Sequence, residues 1–235
     1  MKLQKGLSQE WLKMIACVTM FIDHFAVLVN YNIWLRVIGR LAFPIYCFLI
    51  SEGVRHTRDV KKYVGRLLIM ALVTEPIYDF VLYPDYGLWA HQNVLWTLAL
   101  GAILLECVRR LEKKPWRYLL VVPFALLGEL IHCSYGGAGI LLIALFGLMR
   151  DIPGQKWVWL IGLMLINSIM PSIRVPVFGV RVSCQLFGAL AWVPICFYSG
   201  KKQTSSKALS WGFYLFYPVH LLVLYGIQQM MIALG

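Results

Sequence analysis

Apolar runs of near membrane-crossing length recur along almost the whole chain, separated by short polar breaks. They lie at about 12–29, 34–53, 62–82, 93–109, 117–132, 138–149, 157–170, 183–198 and 211–233. A helix needs roughly 20 predominantly apolar residues to cross a hydrocarbon core of about 30 Å. In that core every backbone N–H and C=O must be satisfied within the protein, which leaves helices as the spanning solution for runs of this length. The pattern predicts an all-α, polytopic transmembrane helix bundle of about nine spans, with eight or ten as the neighbouring solutions. It is read as a single integral-membrane domain over 1–235. The sixth and seventh runs are short for a crossing and suit a re-entrant pair or a locally thinned bilayer. The chain is 60% hydrophobic and 14% charged, with a mean hydropathy of +0.71. Globular chains average about 25% charged, so a soluble domain is excluded. The first run lacks a small-residue cleavage site and is expected to stay as a helix.

The charges sort by connection. Lys2 and Lys5 precede the first run, and Arg55, Arg58, Lys61, Lys62 and Arg66 follow the second. Arg109, Arg110, Lys113, Lys114 and Arg117 follow the fourth, Arg150 and Lys156 the sixth, and Lys201, Lys202 and Lys207 the eighth. The intervening connections at 30–33, 83–92 and 133–137 hold no Lys or Arg, and 171–182 holds only Arg174 and Arg181. Such alternation is the positive-inside pattern. It places the N-terminus in the cytoplasm and, with nine spans, the C-terminus outside. The net charge of +11 therefore follows from topology, and nucleic acid is not an expected partner; membrane lipid is. A second reading is that Arg55, His56, Arg58, Lys61 and Lys62 also take an anionic cytosolic ligand, such as the phosphates of a nucleotide-like cofactor. Glu52, which ends the second run beside Gly53, is either a surface acid or a residue that orders this basic loop.

Against that frame, Asp23 and His24 stand side by side inside the first run. An Asp at a helix centre costs roughly 2.5–3.5 kcal/mol on insertion scales, and an intramembrane ionisable residue is a functional-site hypothesis by default. The topology puts the pair toward the outer side. It puts Arg36 and Arg40, one helical turn apart, in the outer half of the second run, and Glu75 and Asp79 in the outer half of the third. His91 and Asn93 lie at the start of the fourth, and Glu129 and His132 at the end of the fifth. Paired charges that merely hold helices together account for single pairs; this many His, Arg and carboxylate groups in one layer suggest a site. Asp23 and His24 point about 100° apart, so Asp23 is expected to pair with an arginine of the second helix while His24 faces a cavity. His24 is then the candidate general base or nucleophile, and Arg40 the candidate stabiliser of developing negative charge. His220, in the aromatic-rich ninth run, reads equally as a core histidine or a ligand-binding one. Pro44 and Pro218 lie within runs and predict kinks with freed carbonyls. The six cysteines form no CxxC or Cys/His spacing, so they read as small core residues and no metal site is expected.

Several stretches resemble the TraX family of bacterial membrane proteins. They are Lys13-Met-Ile-Ala-Cys-Val-Thr-Met-Phe-Ile-Asp23-His24, Ile38-Gly-Arg40-Leu-Ala-Phe-Pro44 through Ser51-Glu52-Gly53, His56-Thr57-Arg58, and Tyr63-x-x-Arg66-Leu. Asn93-x-x-x-Thr97-Leu with Gly101, Tyr135-Gly136 with Gly139-Ile-Leu-Leu-Ile, and Phe213-Tyr-Leu-Phe-Tyr217-Pro218-x-His220 extend the likeness over nearly the whole chain. It is most specific from Asp23 to Arg58. One departure is Ser134, where the resemblance leads one to expect an acid.

The family takes its name from conjugative-plasmid proteins that acetylate the N-terminus of pilin. It is similar to multispan acyltransferases that carry an acetyl group from cytosolic acetyl-CoA to an acceptor at or beyond the membrane. The resemblance implies that His24 and Arg40, with Asp23, carry the chemistry. It implies that acetyl-CoA is the donor, its phosphates near Glu52, Arg55, His56, Arg58, Lys61 and Lys62. Arg36, Glu75, Asp79, His91, Asn93, His132 and His220 would then serve the acceptor, a pilin-like peptide, a glycan or a lipid. The same acids and histidines also suit a proton-coupled carrier or channel, although the inverted repeats expected of one are not evident. A non-catalytic envelope assembly protein is the third reading.

Overall fold

The breaks in the apolar pattern become helix ends, and the polar residues at those breaks cap them. A computed structural model of the chain describes residues 6–177, 179–200 and 207–234; Lys2, Lys5, Lys201 and Lys202 of the basic connections lie outside these. The described chain is mostly helical. The Ser8 hydroxyl accepts from Trp11 N at the start of α1 (Gln9–Leu28). Asn32 Oδ1 accepts from Trp34 N at 2.9 Å to open α2 (Ile33–Gly39). Asp59 accepts from Lys62 N at 3.0 Å to open α4 (Val60–Leu82), and Asn93 from Leu95 N at 3.0 Å to open α5 (Val94–Arg110). Each cap satisfies one of the amide donors that a helix start leaves without an intrahelical partner. The Asp59 carboxyl lies below its ordinary pKa, chiefly through that backbone hydrogen bond.

The run at 34–53 is not one uninterrupted helix. α2 ends at Gly39, a turn follows at Arg40 and Leu41, and α3 (Ala42–His56) resumes. Pro44 explains the position of the break. Proline offers no N–H to the carbonyl four residues earlier and its ring crowds that carbonyl; here that residue is Arg40.

Among the described residues, three helical segments are long and apolar enough to cross a membrane: Gln9–Leu28, Ile33–His56 and Trp211–Leu234, the last within α10 (Lys207–Leu234). All nine expected runs coincide with helical structure, yet nine crossings are not established by helix length. The sixth run is α7 (Gly136–Leu148), whose 13 residues rise about 20 Å against a core of about 30 Å. The fifth run joins a 3₁₀ segment, Pro115–Leu120, to α6 (Val121–Leu130); the eighth joins another, Cys184–Ala191, to α9 (Trp192–Cys196). The seventh is α8 (Gln155–Ile169).

A purely helical fold is corrected in one place. The connection at 171–182 forms an antiparallel hairpin, β1 (Arg174–Val177) with β2 (Val180–Ser183), in the register Val175↔Val182 and Val177↔Val180. Gly179, at φ +83°, takes the left-handed backbone that tight hairpin turns need. The segment alternates valine with other residues, the period of a half-buried strand, and Val175 is wholly buried.

The chain divides into two compact units, Met1–Leu49 with Leu163–Gly235, and Ile50–Gly162. In the first, α1 packs on α2 and α10, and the 3₁₀ segment Cys184–Ala191 packs on α2. Val37, Val175 and Cys184 form a core cluster there. In the second, α5 packs on α4 and α7, and α6 on α7, around Leu104, Val108, Ile140 and Ala144. A Cβ at Gly101 would overlap the Ile143 side chain, so the missing side chain is what lets α5 and α7 approach, as small residues do between membrane helices.

Candidate functional site

The first unit holds a connected group of charged and polar side chains. Asp23, on α1, accepts from Arg36 Nη1 at 2.8 Å and from Arg40 Nη2, both at Oδ2. The pairing expected with an arginine of the second run is present, and both arginines take part. The group is largely enclosed, with side-chain exposures of 13% for Asp23, 20% for Arg36 and 12% for Arg40. Gly39 makes room for it: a Cβ there would run into the Asp23 side chain. The Pro44-induced break matters here too, because Arg40 sits on it. Its guanidinium also donates from Nε to the Arg36 carbonyl at 3.2 Å and from Nη1 to Gln185 Oε1 at 3.2 Å. Gln185 is buried, and its Nε2 approaches Asn167 Oδ1 at 3.4 Å.

Gln185 and Asn167 extend the network beyond the residues singled out from sequence. Both lie in apolar runs, at 183–198 and 157–170, so the signal that marked Asp23 marks them as well. They carry no formal charge, which made them easy to pass over.

His24, half-buried on α1, meets His220 of α10. Its Nδ1 lies 2.7 Å from His220 Nε2, and His220 Nδ1 lies 2.7 Å from the Phe216 carbonyl oxygen. The two ring centroids are 4.9 Å apart with planes inclined by 25°. That separation is about the N···N distance plus two ring radii, so the rings meet edge to edge rather than face to face. His220 is 3% exposed and lies parallel to the Phe216 ring at 4.8 Å. The His24 base and the Asp23 carboxylate thus stand on consecutive residues of α1, with the two guanidiniums of Arg36 and Arg40 in the same unit.

The remaining candidates lie in the second unit. Glu75 Oε1 accepts from Asn93 N at 3.1 Å, while Oε2 accepts from Asn93 Nδ2 at 2.7 Å and Trp96 Nε1 at 2.6 Å. Asn93 Nδ2 also donates to the Ala71 carbonyl at 2.9 Å. Glu75 and Asn93 are therefore engaged with each other, tying α4 to the start of α5. Asp79 Oδ2 accepts from Trp89 N at 2.9 Å, holding the 83–92 connection. His91 packs against Tyr83, Tyr86 and His132, at centroid distances of 4.8, 5.5 and 6.4 Å. His132 has φ +52°, a conformation histidine adopts more readily than most side chains. Glu129 Oε2 accepts from Gly137 N at 2.7 Å. The sequence read these residues with His24 as one layer; they fall into two groups, one in each unit.

The residues proposed for an anionic ligand also belong to the second unit. Glu52 is fully buried and pairs with Arg150, with His56 Nε2 at 3.6 Å. It is not a surface acid, and Arg150, read from sequence as a topology signal, is its counter-ion. Arg55 pairs with Asp151 at 3.2 Å and Lys62 with Asp59 at 3.4 Å. Arg58 and Lys61 are exposed and make no ion pair among the described residues.

Comparison with known proteins decides the family. The family model described as TraX protein matches residues 8–228. The chain belongs to the TraX family. It is similar to a protein of Dichelobacter nodosus named probable fimbrial assembly protein FimC, serogroup H1, with 32% identity over 234 residues, 91% of this chain and 92% of that protein. It is also similar to Protein TraX of Escherichia coli K12, with 30% identity over 137 residues, 57% of this chain and 52% of that protein. No solved structure matches. The TraX match covers Asp23, His24, Arg36, Arg40 and His220, every charged or imidazole group of the first-unit cluster.

Proposed function

We propose that this TraX-family protein transfers an acetyl group from cytosolic acetyl-CoA to an amine or hydroxyl acceptor at the outer side of the bacterial plasma membrane, with its N-terminus cytoplasmic. The observation that carries the reading is the Asp23–Arg36–Arg40 group standing beside the hydrogen-bonded His24 imidazole inside apolar segments. In this scheme His24 accepts the proton of the acceptor as it attacks the thioester carbonyl. Arg40, held by Asp23 and Gln185, stabilises the tetrahedral oxyanion. Collapse breaks the C–S bond, and the departing CoA thiolate takes the proton, leaving acetylated acceptor and CoA thiol. Asp23 acts as the residue that aims both guanidiniums. On the cytosolic loop, Arg58 and Lys61 are the cations offered to the donor phosphates, since Arg55 and Lys62 already face acids. The name of the Dichelobacter nodosus relative, matched over nearly its whole length, favours a fimbrial subunit as the acceptor.

The test is acetyl-CoA binding and slow hydrolysis by the purified protein in nanodiscs. Wild type is expected to bind saturably and hydrolyse. His24→Ala is expected to lose about 10²–10⁴-fold of the hydrolysis while still unfolding in a single cooperative thermal transition. Arg58→Ala is expected to weaken binding without changing the rate at saturation. Full hydrolysis by folded His24→Ala would overturn the scheme. The same relative's name also supports an assembly role without chemistry; wild type that neither binds nor hydrolyses acetyl-CoA moves the function there.

A further inference from the structure

His220 makes two hydrogen bonds whose directions chemistry dictates. A carbonyl oxygen can only accept, so the 2.7 Å contact between His220 Nδ1 and the Phe216 oxygen requires a proton on Nδ1. A neutral imidazole carries one N–H, and its second nitrogen is then an acceptor. His220 Nε2 therefore offers a lone pair to His24, and the 2.7 Å contact requires that His24 Nδ1 be the donor. With its proton on Nδ1, neutral His24 has its lone pair on Nε2, the nitrogen on the far edge of the ring from His220. Free neutral imidazole side chains favour the opposite arrangement, with the proton on Nε2.

We infer that His220 is a positioning residue: through the Phe216 carbonyl it holds His24 in the Nδ1–H tautomer, so that His24 Nε2 is the basic atom. This deepens the acyl-transfer reading and rests on it for its consequence in turnover; the tautomer itself does not. Three further observations fit. His220 is buried whereas His24 is intermediate in exposure, so the supporting ring is the more enclosed of the two. The Phe216 ring, parallel to His220 at 4.8 Å, and the Tyr217 ring at 5.8 Å limit rotation of the supporting imidazole. Phe216 and His220 are one turn apart on α10, so the anchor is built into a single helix and moves as one body. A group that fixes the tautomer of a catalytic histidine commonly uses a carboxylate or a backbone carbonyl; here a second imidazole relays the carbonyl's preference. In turnover, the acceptor's proton passes to His24 Nε2 and the Nδ1–H···Nε2 bond to His220 shares the resulting positive charge.

The experiment is ¹⁵N solid-state NMR on histidine-labelled protein in lipid bilayers, beside acetyl-CoA hydrolysis. The chain has five histidines, and single His→Gln variants assign them. In wild type, His24 and His220 are expected to show protonated Nδ1 and unprotonated Nε2, with a through-bond or dipolar correlation between His24 Nδ1–H and His220 Nε2. His220→Leu removes the acceptor and is expected to return His24 to Nε2–H, with hydrolysis reduced by about 10²-fold or more. His220→Gln, whose amide oxygen still accepts, is expected to restore Nδ1–H on His24 and most of the rate. A wild-type spectrum with the His24 proton on Nε2 overturns the inference without any variant. Hydrolysis unchanged in a His220→Leu protein whose His24 tautomer has switched overturns the positioning role. If instead His24→Ala hydrolyses normally while the wild-type tautomer is as described, it is the acyl-transfer reading that has failed.

Discussion

Replacing Asp23 by Asn isolates what the carboxylate contributes. The amide keeps the shape of the side chain and removes the charge that holds Arg36 and Arg40 together. All three side chains are four-fifths or more enclosed, which places the group near the buried limit. Removing one partner of a buried ion pair costs about 3–5 kcal/mol, because the other charge stays behind unpaired. Two guanidiniums stay behind here, but each retains some solvent, and Arg40 keeps its bonds to the Arg36 carbonyl and Gln185. The expected loss is therefore at the lower end, about 3 kcal/mol. At roughly 2–4 °C per kcal/mol for a chain of this size, the thermal midpoint in nanodiscs falls by about 6–12 °C. The nine tryptophans give the fluorescence signal. Asp151→Asn is the control: it breaks an exposed pair with Arg55, at 82% and 48% side-chain exposure, and is expected to cost under about 1 kcal/mol. Combining Asp23→Asn with Arg36→Met should recover part of the loss, with a coupling of about 0.5–3 kcal/mol. If Asp23→Asn lowers the midpoint no more than Asp151→Asn does, the Asp23 group is not a buried ionic latch and the reasoning fails.

Two further predictions concern the second unit. Asn93→Ala removes a helix cap and two donated bonds at a buried site, and is expected to cost about 2–4 kcal/mol. Asn32→Ala, which removes an exposed cap, should cost about 1 kcal/mol; equal midpoints for the two variants would contradict the Glu75–Asn93 tie. Burial pushes the Cys133 thiol, in the connection between α6 and α7, up to about 11. The thiolate is the nucleophile, so iodoacetamide labelling of Cys133, read by peptide mass spectrometry, should be negligible at pH 8 and rise only as the pH approaches that value. Rapid labelling at pH 8 in folded protein would refute the enclosure of this connection.

What was legible from the amino-acid order is what depends on local pattern. The apolar runs mark where helix forms, because each run must satisfy its own backbone. Asp23, His24, Arg36 and Arg40 were identifiable because charge in an apolar run is costly wherever it is placed. Pro44 signalled a kink, since its effect acts over four residues; the structure turns that kink into a break between α2 and α3. The TraX motifs carried the family.

Partner choice was not legible. A residue's face is set by the helix, but the group it meets comes from elsewhere in the chain: His24 meets His220 across 196 positions, and Arg40 meets Gln185 across 145. No local pattern encodes such a distance, so His220 read as a core histidine as readily as a functional one. The same holds for Glu52, which read as either a surface acid or a residue ordering the basic loop until Arg150 was placed against it. It holds again for Glu75, whose acceptor capacity is taken up by Asn93 and Trp96 rather than by an outside ligand. Sequence determined which groups must be satisfied; packing decided by what, because satisfying a buried charge or imidazole is a matter of which donor lies within three ångströms or so, and only the folded chain sets that.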